Sequence, residues 1–279
     1  MAHQVLSLGA GIQSTTVLLM SERGELPDLD AAIFSDTGWE PKAVYDHLAW
    51  LEQQTRIPVY RVGAGDLREH TLRGVVRGSK SGGDRYASLP LFVKNGDGSV
   101  GQITRQCTRE YKIEPIHAFI KRELLGLQRG QHAPLHAVDH WYGISADEPR
   151  RMRISREHWK RNIYPLCNMP RPFLAEPMSR GQCIEWLKRH YPGYVVPRSA
   201  CLGCPYHTDD EWRRIKQDPE AWADVVEVDR AIRHADGLNG EVYLHRSCKP
   251  LEEVDLNNDV DYGQDMFGFA SECMGYCGN

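Results

Sequence analysis

The opening of the chain alternates short apolar runs with longer stretches of helical spacing. Residues 4–8 read as a buried strand, and Gly9, Ala10 and Gly11 as the turn that follows it. Residues 14–22 (STTVLLMSE) have the apolar content of a helix packed on a sheet. Residues 31–34 form a second apolar strand, closed by Ser35-Asp36-Thr37-Gly38. Residues 41–54 are amphipathic, with Val44, Leu48 and Leu51 on one face and Pro41 near the start. Residues 57–62 supply a third strand. This order predicts an α/β fold: a parallel sheet flanked by helices, with right-handed crossovers. Ligands of such sheets bind beyond the carboxyl ends of the strands, where Gly9–Gly11 and Asp36-Thr37-Gly38 both fall.

Further along, residues 74–99 carry Gly78, Gly82, Gly83, Gly96 and Gly98 among Ser, Lys and Asp. They read as a mobile loop or extended hairpin near the site. Residues 114–125 form a helix entered through Pro115, and residues 135–144 a further sheet strand. Residues 148–161 are strongly basic, and Arg153, Arg156 and Arg161 are expected on a solvated helix face. Ser179 caps a helix over 179–190 that presents Cys183, Trp186 and Leu187 on one side. Residues 209–234 are helical with a break near Pro219, and a polar, Gly-containing tail ends the chain as a lid. A nucleotide-binding core over 1–165 and a helical CxxC part with the tail over 166–279 is the expected division, across a boundary soft enough for a single domain.

Composition narrows the partners. The chain has 279 residues, 41% of them hydrophobic, so it can bury a core. A net charge of −4 provides no global basic field for nucleic acid or membrane. No apolar run reaches membrane-spanning length and no signal peptide is visible, so a cytoplasmic protein is expected. Its eight cysteines then favour metal or redox chemistry over a disulfide framework.

Two groups of residues carry that chemistry. The loop Ser7-Leu8-Gly9-Ala10-Gly11-Ile12-Gln13-Ser14 offers backbone N–H groups, small residues and hydroxyls at a helix start, the requirements for a phosphate. It is neither a Walker loop nor a dinucleotide fingerprint. The second group is Cys107 within Cys107-Thr108-Arg109-Glu110-Tyr111-Lys112, the pair in Cys201-Leu202-Gly203-Cys204, and Cys273 and Cys277 at the end. A CxxC can turn two thiolates onto one metal, and Gly203 is expected to permit that turn. Cys167 and Cys183 are expected to pack, and His207 is a weaker ligand candidate. Arg150 and Arg151, which follow a strand end, are candidate anion clamps.

Taken in order, Ser7, Gly11-Ile12-Gln13-Ser14, Asp36-Thr37-Gly38, Cys107 with Lys112 and Glu114-Pro115, Gly143-Ile144 with Glu148 and Arg151, Cys201-x-x-Cys204 and Glu272-Cys273 resemble the PAPS and APS reductases. These belong to the adenine nucleotide alpha-hydrolase-like superfamily. The resemblance implies nucleotide contacts at Ser7, Gly9, Ala10, Gly11, Gln13, Ser14, Asp36, Thr37 and Gly38. Lys112, Arg150 and Arg151 would neutralise the anion. A [4Fe-4S] cluster would sit on Cys107, Cys201 and Cys204, with Cys277, Cys273 or Cys248 as the distal fourth ligand or an iron left open; Cys277 is the favoured one. Cys273 would attack the sulfur of APS or PAPS, and a thiol donor such as thioredoxin would release sulfite. The chain departs from the pattern at four positions. Gln13 stands where the related ATP pyrophosphatases have Asp, Thr108 replaces a second cysteine, Pro149 a serine and Met274 a glycine. Gln13 favours a nucleotide whose phosphates stay intact, while Thr108, the absence of a histidine after Cys273 in the tail and the inserted Gly-rich region keep two further readings open. One is an ATP-dependent sulfurtransferase that adenylylates and thiolates a nucleobase or other acceptor, the only reading that brings in nucleic acid. The other is a non-catalytic nucleotide-binding module with structural zinc.

Overall fold

The computed structural model describes residues 2–76, 85–86, 88–235 and 240–257. Strands and helices alternate at first: β1 (His3–Ser7), α1 (Ile12–Glu22), β2 (Ala31–Asp36), α2 (Lys42–Gln54), β3 (Val59–Gly63) and α3 (Leu67–Arg73). Next come two antiparallel pairs, β4 (Val75–Val76) with β5 (Arg85–Tyr86) and β6 (Phe92–Asn95) with β7 (Val100–Gln102). A continuous helical run over 108–124 has an α-helical centre, α4 (Glu114–Phe119), between π-helical turns at Thr108–Ile113 and Ile120–Leu124. The chain continues through β8 (Val138–Tyr142), β9 (Lys160–Ile163), α5 (Arg180–His190), α6 (Asp209–Lys216), α7 (Pro219–Ala231) and β10 (Gly240–Tyr243).

The expected parallel sheet is present. Its five strands run in the order β3-β2-β1-β8-β9, every neighbouring pair parallel. Coverage on both faces explains why β1 and β2 read as apolar runs without alternation. α1 is buried along its whole length from Gln13 to Ser21 because α5 packs over it. Leu18 and Leu19 share a core with Trp186, Leu187 and Cys183 of α5. Ser179 starts α5 as expected: it accepts from the Gln182 N–H while the Gln182 side chain returns to the Ser179 N–H. The helical stretch over 209–234 breaks before Pro219, which opens α7 with Asp218 as its cap.

The basic segment differs from the sequence reading. Arg153, Arg156 and Arg161 are not on a helix face: after a short 3-10 turn at Pro149–Arg151 the segment runs irregularly into β9. Arg161 there donates twice to Asp139, at 2.7 and 2.9 Å. The described part of 74–99 agrees with the extended hairpin expected there, and β6 pairs with β10 as well as β7 to make a three-stranded antiparallel sheet. Gly78, Gly82 and Gly83 lie outside the described residues. Among the described residues no helix is long and apolar enough to cross a membrane.

His47 ties the layers together. It is 1% exposed, with Nε2 2.9 Å from the Thr15 hydroxyl of α1 and Nδ1 2.8 Å from the Tyr194 hydroxyl. Burial lowers its pKa to about 4. The unfolded chain, with a His near 6.5, therefore binds a proton that the folded chain refuses. This stabilisation is complete above pH 6.5 and fades as pH falls toward 4, and His117, lowered to about 3 by burial, acts with the same sign. Urea titrations at pH 7 and pH 5 should show the native protein losing stability on acidification, and His47→Gln should reduce that loss by about 1–3 kcal/mol. An unchanged pH slope in the variant would refute the role given to His47.

Candidate functional site

The carboxyl ends of β1, β2 and β8 bring three loops side by side. After β1, Ala10 takes a left-handed backbone (φ 58) and Gly11 an extended one before α1 begins. A buried non-glycine residue with positive φ at a candidate ligand loop is a strained position held by its surroundings. The loop after β8 closes against it. A Cβ on Gly143 would lie 2.5 Å from the Ser14 nitrogen, so only glycine fits there. Since β1 leads outward to β2 and its other neighbour is β8, this junction is the point where the strand order reverses, the usual ligand crevice of such sheets.

Gln13 crosses the crevice. Its side-chain amide is 3.3 Å from the Ser145 hydroxyl and donates to Glu148 Oε2 at 3.1 Å. Arg151 donates to both Glu148 oxygens at 2.8 Å. Gln13 thus serves a carboxylate that arrives from the β8 loop, and an acid at position 13 would repel it. Arg151, a predicted clamp, is held at the crevice by Glu148, while Arg150 is exposed and its carbonyl accepts from Arg153. Ser14 donates to the Gly11 carbonyl at 3.2 Å, and Ser7 is buried at the end of β1. After β2, Asp36 Oδ1 accepts from the Gly38 N–H at 2.8 Å and from Tyr45 at 2.9 Å. Gly38 has φ 73, and a Cβ there would come within 3.0 Å of Asp66.

Three predicted cysteines meet. Cys107, Cys201 and Cys204 line one cavity with Thr37, Lys112 and Arg105, and Leu89, Pro90 and Tyr206 complete its wall. No disulfide links the three cysteines among the described residues. Cys107 stands at the start of the helical run, where the helix end favours an anion. Lys112 is buried one turn on, 3.7 Å from a Glu40 carboxylate whose side chain is wholly inaccessible. Glu40 also accepts from Thr37 at 3.0 Å and lies 3.5 Å from the Cys201 sulfur. Sequence reasoning missed Glu40; the only signal was its place two residues after Gly38.

Trp39 fixes the CxxC loop. A Cβ on Gly203 would lie 2.0 Å from the Trp39 ring, so the glycine is required by the indole and not by the turn conformation expected from sequence. The Leu202 N–H donates to the Trp39 carbonyl at 2.8 Å. His207 is a positioning residue: Nε2 faces the Cys201 and Leu202 carbonyls at 2.9 and 3.1 Å, and Nδ1 lies 3.6 Å from Glu211. Cys183 and Cys167 pack as expected, and burial pushes their thiols up to about 12 and 11. Cys248 is buried and does not line the cavity. Cys273 and Cys277 lie outside the described residues.

Among the described residues no three His, Cys, Asp or Glu side chains converge closely enough to hold a single metal ion. A mononuclear zinc site needs thiolates about 2.3 Å from one point. The three thiols surround a cavity walled by Leu89 and Pro90. The enclosed space is about 20 Å³, room for about one water, so any larger group must part these walls. No protein-family model, no curated protein and no solved structure matches the chain.

A double-mutant cycle tests the crevice. Gln13→Glu keeps the side-chain shape and sets two carboxylates face to face, which should cost about 1–3 kcal/mol in denaturant titrations. Adding Glu148→Gln should restore most of that loss. Equal losses in the single and double variants would refute the Gln13–Glu148 contact.

Proposed function

We propose that the chain is a thiol-dependent enzyme acting on an adenylylated sulfur compound, of the sulfonucleotide reductase type. The observation that supports it best is the meeting of Cys107, Cys201 and Cys204 with Lys112 and Arg105 beside Thr37, at the carboxyl end of a parallel sheet. Anion-binding loops, cations and thiols from distant parts of the sequence share one end of the fold, which suits sulfur chemistry on a nucleotide.

In this reading the loops after β1 and β2 bind the adenylyl group, and Lys112 and Arg105 balance the charge of the sulfate. Cys107, Cys201 and Cys204 would hold a [4Fe-4S] cluster, which supplies electron-transfer or Lewis-acid chemistry at sulfur when bound. The Cys273 thiolate attacks the sulfate sulfur. Its S–S bond forms as the sulfur–oxygen bond to the phosphate breaks, and AMP or its 3′-phosphate leaves with the electron pair. A dithiol reductant then attacks the Cys273 sulfur; sulfite departs with the bond electrons and the dithiol ends as a disulfide. Thr108 gives a specific reason to keep the sulfurtransferase reading beside this one. It occupies the position of the second cysteine, is 6% exposed, and its hydroxyl has no hydrogen-bond partner among the described residues. The described part of the site therefore offers three thiols, which suits a cluster with one iron open to sulfur.

Anaerobic purification with iron and sulfide analysis is the first test, and about four of each per chain are expected. Cys107→Ser, Cys201→Ser and Cys204→Ser should each lose the iron. APS or PAPS should release sulfite, and Cys273→Ser should reduce release to background. Stoichiometric zinc without iron would overturn the cluster, and full activity in Cys273→Ser the nucleophile. Cleavage of ATP to AMP and pyrophosphate, without sulfite from either sulfonucleotide, would replace the reductase by the transferase.

A further inference from the structure

The loop after β10 carries a constellation of side chains that neither the thiol cavity nor the crevice uses. This loop, residues 244–251, is clamped at both ends by one carboxylate. Asp229 of α7, 1% exposed, accepts from the Leu244 N–H at 2.9 Å and from the Leu251 N–H at 3.0 Å. Between those anchors the chain turns tightly. The Cys248 N–H donates to the His245 carbonyl at 3.0 Å, and Cys248 itself, buried, takes a left-handed backbone (φ 50). A buried non-glycine residue in that region is a strained position held by its surroundings.

His245 is the centre of the turn and is buried. Its Nδ1 accepts from the Ser247 backbone N–H at 3.1 Å, which makes Nδ1 the unprotonated ring nitrogen. The Ser247 hydroxyl lies 2.8 Å from the same nitrogen and therefore donates to it. The ring proton is then on Nε2, which faces Asp209 Oδ1 at 2.9 Å. Asp209 comes from the start of α6 and is buried, and its other oxygen accepts from Arg246 at 3.0 Å. Hydroxyl, imidazole and buried carboxylate thus follow one another in series, each within hydrogen-bond reach of the next. A serine that only closed a turn would need the imidazole alone. Here a carboxylate from a separate element fixes the tautomer in which the nitrogen beside the hydroxyl is the basic one. The base and its orienting group are buried, while Ser247 is exposed. That is the arrangement of an activated nucleophile. Arg246 and Lys249, both exposed, flank the serine in the chain, so an oxyanion formed there develops in a positive stretch.

We propose that Ser247 is a nucleophile activated by His245, with Asp209 as the positioning residue, and that this loop transfers the acyl group of a small activated ester to water. The activity is separate from the sulfur chemistry proposed at the thiol cavity. Ser247 Oγ bonds to the carbonyl carbon of the ester as its proton passes to His245 Nδ1. The alcohol leaves with the electrons of its carbon–oxygen bond and takes that proton. Water then attacks the acyl-serine and gives a proton to Nδ1. The acid departs as Ser247 Oγ recovers the proton.

The test treats the full chain with diisopropyl fluorophosphate, which forms an Oγ–P bond as fluoride leaves, and maps the adduct by peptide mass spectrometry. An adduct at Ser247 is expected. His245→Gln should slow its formation by about hundredfold. Asp209→Asn should slow it as well and shift the imidazole nitrogen resonances of His245, which report the tautomer. Ser247→Ala, at an exposed position, should remove the adduct and lower the hydrolysis of p-nitrophenyl acetate without disturbing the fold. Circular dichroism establishes that each variant is folded. No adduct at Ser247, or an unchanged labelling rate in folded His245→Gln, would overturn the nucleophile. Hydrolysis unchanged in Ser247→Ala would overturn the acyl transfer.

Discussion

The contact between Trp39 and Gly203 is the constraint from which the thiol cavity follows. Cys201 and Cys204 sit on a loop with little regular structure, and nothing in the loop alone directs its sulfurs toward Cys107. The indole leaves no space for a side chain at position 203, so the loop backbone approaches β2 as closely as a backbone can. The Leu202 N–H then reaches the Trp39 carbonyl, and the Cys201 sulfur comes within 3.3 Å of the Thr37 hydroxyl. The far edge of the same indole donates to Asp224 on α7 at 2.6 Å, and Asp224 also takes Arg68 of α3. One aromatic side chain thus joins the end of β2, the CxxC loop and two helices. Large rings suit such junctions because they combine extensive apolar contact with a single polar edge.

Much of this was legible in the amino-acid sequence, for reasons that differ by element. Val5-Leu6 of β1 and 31–34 of β2 stood out as apolar because helices cover both faces of the sheet, and α5 announces itself through Ser179 and Gln182. β9 was not legible. Lys160-Arg161-Asn162-Ile163 is too short and too polar to stand out, and its strand character depends on pairing with β8. The β10-β6-β7 sheet was hidden for a related reason, since β10 and β6 are far apart in sequence and neither is a strong strand former alone. At the site, the CxxC spacing marked Cys201 and Cys204, and the resemblance brought in Cys107. Glu40 could not, because an exposed and a wholly buried glutamate look alike in sequence, and only the fold places this one against Lys112.

The crevice between β1 and β8 shows how a substitution can be absorbed by a distant residue. An aspartate at position 13 would present a carboxylate at the start of α1. Gln13 presents an amide donor, and Glu148 comes across from the β8 loop to meet it. The negative charge remains near the helix start but belongs to another strand, and Arg151 neutralises it. A ligand entering here meets a neutralised acid and an ordered arginine, an arrangement that favours an anion over a bare divalent cation.

The two buried lysines among the described residues show that burial alone does not define a site. Lys112 and Lys160 are comparably inaccessible, 7% and 2% exposed. Lys112 is set against the Glu40 carboxylate, so its charge is largely balanced before any ligand arrives, and an incoming anion must compete with an internal one. Lys160 donates to the hydroxyl of Tyr142 and the amide oxygen of Asn162, and burial lowers its pKa to about 8 while Glu157 acts in the opposite sense. The first arrangement suits a site whose own thiols bring negative charge when they ionise, since the pair can redistribute that charge inside the cavity. The same side chain therefore meets different neighbours at the carboxyl end and at the edge of one sheet, and those neighbours set how its charge is held.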